Sequence, residues 1–450
     1  MKTRHYIIIT ISLLFSLSYG CRKIELGEDI KALDVTVRVA YDTSKGNFSL
    51  PIEGINIKLE NLWNGKINQI KTNQNGLAEF GNISAGVYNI MATLTIPKED
   101  FQNYTGQFSE DDVTLNASMN SVTLNNQTNA ILDLQMKLGR IGGLVLKQIY
   151  YAGSDTRNGA SFRDQFIEIY NNSNEVIYAD SLYIAQVWGT NTANPDLSKG
   201  FYFTSGPMIG QFNWSKSIGM PAGINASEDY FYPKSLYRIP GNGTDYPIQP
   251  GESIIIAQTA VNHKAPYSNS TGGSIEIKDP SLTVDLSHAD FEVYLAPYLA
   301  SPLASDIDNP AVPDLIMLAY SGKDWLLDNP GRDGYIIFKT DKDIPSTFQK
   351  YPDPAQLAIT QNTTLYYQIP LSYAIDAVEI QPNAPTSRVP KRLYSEYDAG
   401  FTFCPAGSYS SQSVIRKTSK IVSGRRILID TNNSTNDFDY LEKAEPKAFK

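Results

Sequence analysis

The chain has 450 residues, more than one ordinary core accommodates, so two or more domains are expected. Hydrophobic residues make up 42% and charged residues 19%, which excludes a disordered chain; 28 Tyr, 25 Pro and 31 Gly favour strands and turns over helical bundles. A formal net charge of −9 argues against a nucleic-acid-binding face, which needs basic residues to neutralise phosphate.

Lys2 and Arg4 precede the apolar run Tyr6 to Leu17, and Ser18-Tyr19-Gly20-Cys21 follows. A charged start, a short apolar segment and a small residue before the cut form the pattern of a secretory signal over residues 1–20. The run is too short to serve as a permanent membrane span. Cys21 after Gly20 resembles a bacterial lipoprotein box, although Ser18 stands where that box usually has an aliphatic residue. The resemblance implies a lipidated Cys21 and attachment to a membrane; the plain alternative is a signal peptide with an incidental cysteine. Residues 21–32 read as a charged tether. Within it, Glu25, Glu28 and Asp29 resemble the surface-export signal of Bacteroidota lipoproteins, which implies an outer-membrane protein facing outward.

From residue 33 to 138 the pattern is β. Val35, Val37, Val39 and Tyr41 alternate with Thr36, Arg38 and Ala40, as in a half-buried strand. Ile55, Ile57 and Leu59 mark a second strand, Asn75-Gly76 a turn, and Val87 to Ile96 a long strand. Thr72, Gly76, Phe80, Ile83, Gly86 and Tyr88 reproduce a pattern similar to that of transthyretin-like, or carboxypeptidase-regulatory-like, β-sandwiches. That resemblance implies a fold and a spacer or docking role, not a chemistry.

Residues 139–450 form the second expected domain, after a boundary marked by Gly139, Gly142 and Gly143. Glu168, Tyr170, Asn171 and Asn172, with Val176 and Leu182, resemble the entry to a lamin-tail-type, immunoglobulin-like sandwich. Pro250, Gly251, Ile254 to Ala257, and later Ser413, Arg416, Asp430, Asn432, Asn433, Ser434, Asp437 and Phe438, resemble further strands of that family. The matches lie far apart, so long loops must be inserted. The whole arrangement is similar to an uncharacterised Bacteroidota lipoprotein family. The expected fold is therefore all-β: a transthyretin-like sandwich followed by a larger lamin-tail-type sandwich with long insertions. By alternation Ile167 and Ile169 point inward, and Glu168 with Asn171-Asn172 reads as edge and turn.

Catalytic signatures are sparse. His263 and His288 form no helical metal pair, and Cys404 has no basic partner in sequence. With Cys404 the only cysteine beyond Cys21, no disulfide framework is expected. Asp306/Asp308 and Asp328/Asp333 are carboxylate pairs of the kind a glycosidase uses, but spacing in sequence does not place them across a cleft. Asp430, Asn432 and Ser434 have the alternate spacing of a calcium loop. Thr435 replaces the turn glycine and Leu441 the closing glutamate, so an Asx turn is the simpler reading and no cofactor is expected.

The distinctive composition is aromatic. Trp188, Tyr202, Trp214, Tyr230, Phe231, Tyr232 and Tyr237 lie in or beside the long insertion at 188–250, with Asn191, Asn213 and Asp229 among them. They are either packing for the inserted loops or a contact face, where rings give large contact area at low entropy cost. The functional expectation is a non-enzymatic surface lipoprotein that binds or assembles with an outer-membrane transporter or an extracellular polymer. The rival is a glycan-active hydrolase working through carboxylates of the inserted loops.

Overall fold

The computed structural model describes residues 32–41, 50–105, 112–125, 131–138, 143–422 and 424–450. Cys21, the tether acids Glu25, Glu28 and Asp29, and the boundary residues Gly139 and Gly142 lie outside the described residues. Among the described residues no helix is long and apolar enough to cross a membrane.

The architecture is all-β. Seven strands form the first sandwich: β1 (Leu33–Tyr41), β2 (Asn56–Asn61), β3 (Ile67–Lys71), β4 (Leu77–Ile83), β5 (Gly86–Ile96), β6 (Val113–Leu124) and β7 (Ile131–Leu138). A short helix, α1 (Lys98–Thr105), crosses between β5 and β6 and buries Phe101. The strand order is β3-β2-β5-β6-β7-β1-β4, with β1 antiparallel to β4 and parallel to β7. Alternation in β1 sends Val35, Val37 and Val39 into the same core as Ile57, Leu59 and Ile90 from the other end of the sheet. The turn before β4 follows from its sequence. Asn73 Oδ1 accepts from the N–H groups of Asn75 and Leu77, and Gly76 takes φ +70°.

The larger domain is built on two facing sheets. One has the order β13-β12-β9-β8-β17-β18, from β8 (Leu144–Tyr150), β9 (Phe166–Asn171), β12 (Ser253–Ala257), β13 (Phe291–Glu292), β17 (Ser413–Arg416) and β18 (Phe438–Leu441). The other has the order β14-β11-β10-β15-β16, from β10 (Tyr183–Val187), β11 (Pro233–Arg238), β14 (Ile316–Ala319), β15 (Gly334–Phe338) and β16 (Ala374–Glu379). Ile167, Ile169 and Ile256 from the first sheet meet Ile184, Ile337 and Val378 from the second in one core.

The outer face of β9 departs from the expectation. Glu168 is fully buried, not an edge residue, because β9 is a central strand and the chain returns across it at residues 445–449. Lys147 Nζ donates to Glu168 Oε1 at 2.7 Å, and Phe449 lies over that ammonium at 3.6 Å. Gln148 Nε2 and the Lys447 N–H donate to Glu168 Oε2, so the carboxylate is paired as well as buried.

Asp164 is a second buried acid, with a weaker shell. Tyr150 Oη donates to its Oδ2 at 3.1 Å, while Oδ1 has no partner. Burial pushes this carboxyl up to about 7. Between its unfolded range near 4 and about 7, the folded chain holds a proton that the unfolded chain releases. Stability from this group therefore falls as pH rises through that window and levels off above it. Asp164→Asn is expected to remove that slope and to raise stability at pH 8 relative to pH 5. Urea unfolding at both pH values checks it; parallel slopes in the two proteins would count against the assignment.

Candidate functional site

A cleft of about 450 Å³ lies between the two sandwiches. That volume is within the range of about 300–1,000 Å³ typical of small-ligand sites, which favour domain boundaries. The first sandwich contributes the β2–β3 turn and the adjoining ends of β5 and β6; the larger domain contributes loops at 193–197, 207–210 and 381–391, with Phe401.

Local sequence shapes both walls. In the β2–β3 turn, Asn61 Oδ1 accepts from the N–H groups of Trp63 and Asn64 at 2.8 and 3.2 Å, and Gly65 closes the turn at φ +69°. This geometry turns the Trp63 indole outward, and the residue is 71% exposed. Trp325 and Trp214 are buried and Trp188 is half-buried, so Trp63 is the tryptophan that faces solvent. Gly86 permits the close approach behind it: a Cβ there would lie 2.8 Å from Asn61 Nδ2 and 3.5 Å from Trp63 Cε3. On the opposite wall, a Cβ on Gly210 would meet Pro195 and Pro390, each at 2.8 Å, so two loops close against that glycine.

The charged groups of the cleft are already compensated. Arg388 faces Glu60 across the domain boundary at 3.4 Å, and its guanidinium lies 4.6 Å from the Phe401 ring centroid. Lys391 is buried and donates to the carbonyls of Asp398 and Gly400. Burial pulls both cations below their ordinary range, against the opposing pull of Glu60 on Arg388 and of Asp398 and Glu379 on Lys391. No carboxylate lines the cleft among the described residues. A further bond joins the domains, from Asn116 Nδ2 to the Thr431 carbonyl at 2.5 Å.

The seven aromatic residues singled out from sequence do not form a contact face. Trp214, Phe231, Tyr232 and Tyr237 are buried, and Trp188, Tyr202 and Tyr230 are half-buried around them or nearby. Trp214 stacks on Tyr232 at 3.5 Å, and Trp188 on Tyr366 at 5.3 Å. Tyr237 sits apart, in the main core against Trp325. The long insertion needs an interior of its own, and these rings supply it. Asn191 accepts from Arg392, and Asn213 caps a short helical turn through the Ser215 N–H.

The candidate calcium loop, Asp430, Asn432 and Ser434, also lies among protein partners. Arg416 Nη1 lies 3.2 Å from Asp430 Oδ1, and Ser434 Oγ donates to Asp398, so two of the three candidate ligands are engaged within the protein. Asn432 adopts φ +53° as a turn residue. Glu292, Asp308 and Asp314 converge elsewhere, with one carboxylate oxygen of each within 4.8 Å of the others. Burial pushes Glu292 up to about 7 and Asp314 up to about 6, and neighbouring acids add to both. Both Glu292 oxygens already accept backbone N–H groups, from Ala260 and Asn309.

Other candidates are accounted for by packing. Asp328 is held by Arg332, and Asp333 by Lys234 and Gln186; Asp306 accepts from the Leu295 N–H. His263 is fully buried, and burial lowers it to about 4. Cys404 is buried and raised to about 12, unsuited to forming thiolate.

Fold and site define the class: an all-β protein of two sandwich domains with a cleft between them. Residues 249–445, less than half of the chain, match the family described as "Protein of unknown function (DUF4876)". The chain is similar to a DUF4876 family protein from Bacteroides thetaiotaomicron at 25% identity, covering 90% of this chain and 94% of that one, with a TM-score of 0.49. It is also similar, far more distantly, to a structure described as that of a candidate adhesin from Bacteroides ovatus. There the identity is 8%, the coverage 78% and 87%, and the TM-score 0.18. No curated protein matches the chain.

Proposed function

We propose that the protein is a non-catalytic binding module, held at the outer membrane through a lipidated Cys21, that takes its ligand in the cleft between its two sandwiches. The observation that carries this reading is the exposed Trp63 at a cleft of about 450 Å³. In this reading the first domain is a transthyretin-like spacer that also supplies one wall. The second is a lamin-tail-type sandwich whose inserted loops supply the other. The occupant belongs to an extracellular polymer or to an outer-membrane transporter that the protein serves.

The cleft favours binding over hydrolysis. Glycoside cleavage uses two carboxyls about 5–10 Å apart across the bond that breaks, and the described lining offers none. The carboxylates clustered at Glu292 and those gathered on Arg416 lie outside that lining.

The test has two parts. Palmitate should label the wild type and not Cys21→Ala. Immobilised full chain should capture extracellular polymer or solubilised outer-membrane protein, and Trp63→Ala should weaken that capture about tenfold, the scale of an interfacial tryptophan. Because Trp63 is mostly exposed, its removal should leave the melt unchanged. Capture that is indifferent to Trp63→Ala would place the binding elsewhere.

A further inference from the structure

The geometry points to an uncharged oligosaccharide as the ligand of the cleft. This inference rests on the cleft being the binding site and adds the chemical class of what enters it.

The lining fixes that class by what it offers and what it lacks. It offers one broad exposed ring, Trp63, 71% open to solvent at the mouth. An indole face attracts weakly polarised C–H groups and gives a large contact at low entropy cost. Around the ring are uncharged hydrogen-bonding groups: the side chains of Asn89, Ser121, Thr123, Asn194 and Thr386. Ser121, Thr123, Asn194 and Thr386 are exposed, so their amide and hydroxyl groups face a ligand without first breaking buried bonds.

Charge is the decisive absence. The two cations that line the cleft are committed to protein partners, Arg388 to Glu60 and Lys391 to two backbone carbonyls. An anionic ligand would share the Arg388 guanidinium with the Glu60 carboxylate beside it, and a cationic one would meet no carboxylate in the described lining. Desolvating a charge without a partner is costly, so both are disfavoured.

An extended peptide is the competing class. Peptides commonly bind by adding a strand to an open sheet edge. At the cleft β5 is paired on both sides, whereas β6 beside Ser121 and Thr123 is paired only with β5 among the described residues, since its pairing with β7 is confined to Leu115 and Asn116; a peptide added along that edge is the rival occupant that the oligosaccharide titration tests. A neutral saccharide presents C–H faces to a ring and hydroxyls to amides, and carries no charge. The rim prolines Pro195, Pro207, Pro385 and Pro390 hold the far wall in restricted backbone geometry, which suits a rigid ring ligand.

The experiment is titration of the full chain, purified in detergent, with neutral oligosaccharides of β-1,4-glucan, β-1,4-xylan, β-1,4-mannan and α-1,4-glucan, followed by tryptophan fluorescence and calorimetry. Oligogalacturonate serves as the charged counterpart. At least one neutral oligosaccharide should bind and shield the exposed indole from acrylamide, with little dependence on salt. Trp63→Ala should weaken that binding at least tenfold, and Trp63→Phe should recover part of it. Three outcomes would overturn the inference: no neutral oligosaccharide binds, binding is the same in Trp63→Ala, or oligogalacturonate binds better and in a salt-sensitive way. If the neutral panel fails while Trp63-dependent capture of polymer or membrane protein persists, the ligand class is wrong and the cleft stands. If both fail, the cleft is not the site.

Discussion

Arg416→Met is expected to cost about 3–5 kcal/mol of stability, or to prevent folding, because it strips the cation from a buried cluster of carboxylates. Arg416 is 1% exposed. Its Nη2 donates to Asp376 Oδ2 at 2.6 Å, and its Nη1 lies 3.2 Å from Asp430 and 3.3 Å from Asp437. Its Nε donates to the Leu146 carbonyl, and Nη1 also to that of Ile429. The one side chain therefore ties β8, β16, β17 and the loop before β18. Burial opposes its charge, but Asp376, Asp430 and Asp437 together hold it above the ordinary arginine range. Take the guanidinium away and three acids remain in the interior with no cation. Arg416→Lys should recover only part of the loss, since a single ammonium does not reproduce the fork. Adding Asp376→Asn and Asp437→Asn to Arg416→Met should restore some stability, because fewer charges are then left unpaired. Denaturant unfolding of the three variants beside the wild type measures these effects. A loss under about 1 kcal/mol for Arg416→Met would reduce the cluster to the worth of a surface ion pair.

This cluster also marks how far the sequence was legible. Arg416, Asp430 and Asp437 stood out as one motif, and the stretch DTNNSTNDFD turns at Asn432, then forms a short helix at Ser434–Asp437 and enters β18 at Phe438. What the loop's acids face was hidden, because Asp376 arrives from another strand and no spacing in sequence announces it. Period-2 alternation located β1 and β9 well, since local pleating alone produces it. It misjudged the far side of β9, because the segment that covers Glu168 is nearly 300 residues away in the chain. The cleft was out of reach for the same reason: its walls join the turn at Trp63 to loops near 195, 208 and 388. One local sign was present. A tryptophan between Asn61 and Asn64-Gly65 sits in a tight turn, where it has no interior to enter.

Tyr232→Ala should cost about 3–5 kcal/mol, the scale of a large-to-small change in a packed aromatic core. Tyr232 is 1% exposed, stacks on Trp214 at 3.5 Å, and donates its hydroxyl to the Ala226 carbonyl at 2.7 Å. Gln368 Nε2 donates to the same hydroxyl at 2.8 Å. Tyr230→Ala should cost distinctly less, because Tyr230 is only half-buried at the margin of the cluster. Tyr232→Phe should cost about 1–3 kcal/mol, since the ring stays and the buried carbonyl and amide lose a partner. The consequence reaches the cleft. Tyr202 and Phe212 stack at 5.5 Å within this aromatic cluster, and the loop residues that wall the cleft, Asn194, Pro195, Pro207 and Gly210, lie on the same stretch of chain. The rings thus hold a wall of the site without touching what enters it. Tyr232→Ala should therefore lower the melting temperature and weaken ligand capture together, whereas Trp63→Ala should weaken capture alone. Thermal melts and capture measured side by side on the two variants separate the roles. A Tyr232→Ala protein that melts like the wild type would mean that the rings are not packing and that the inserted domain has some other interior support.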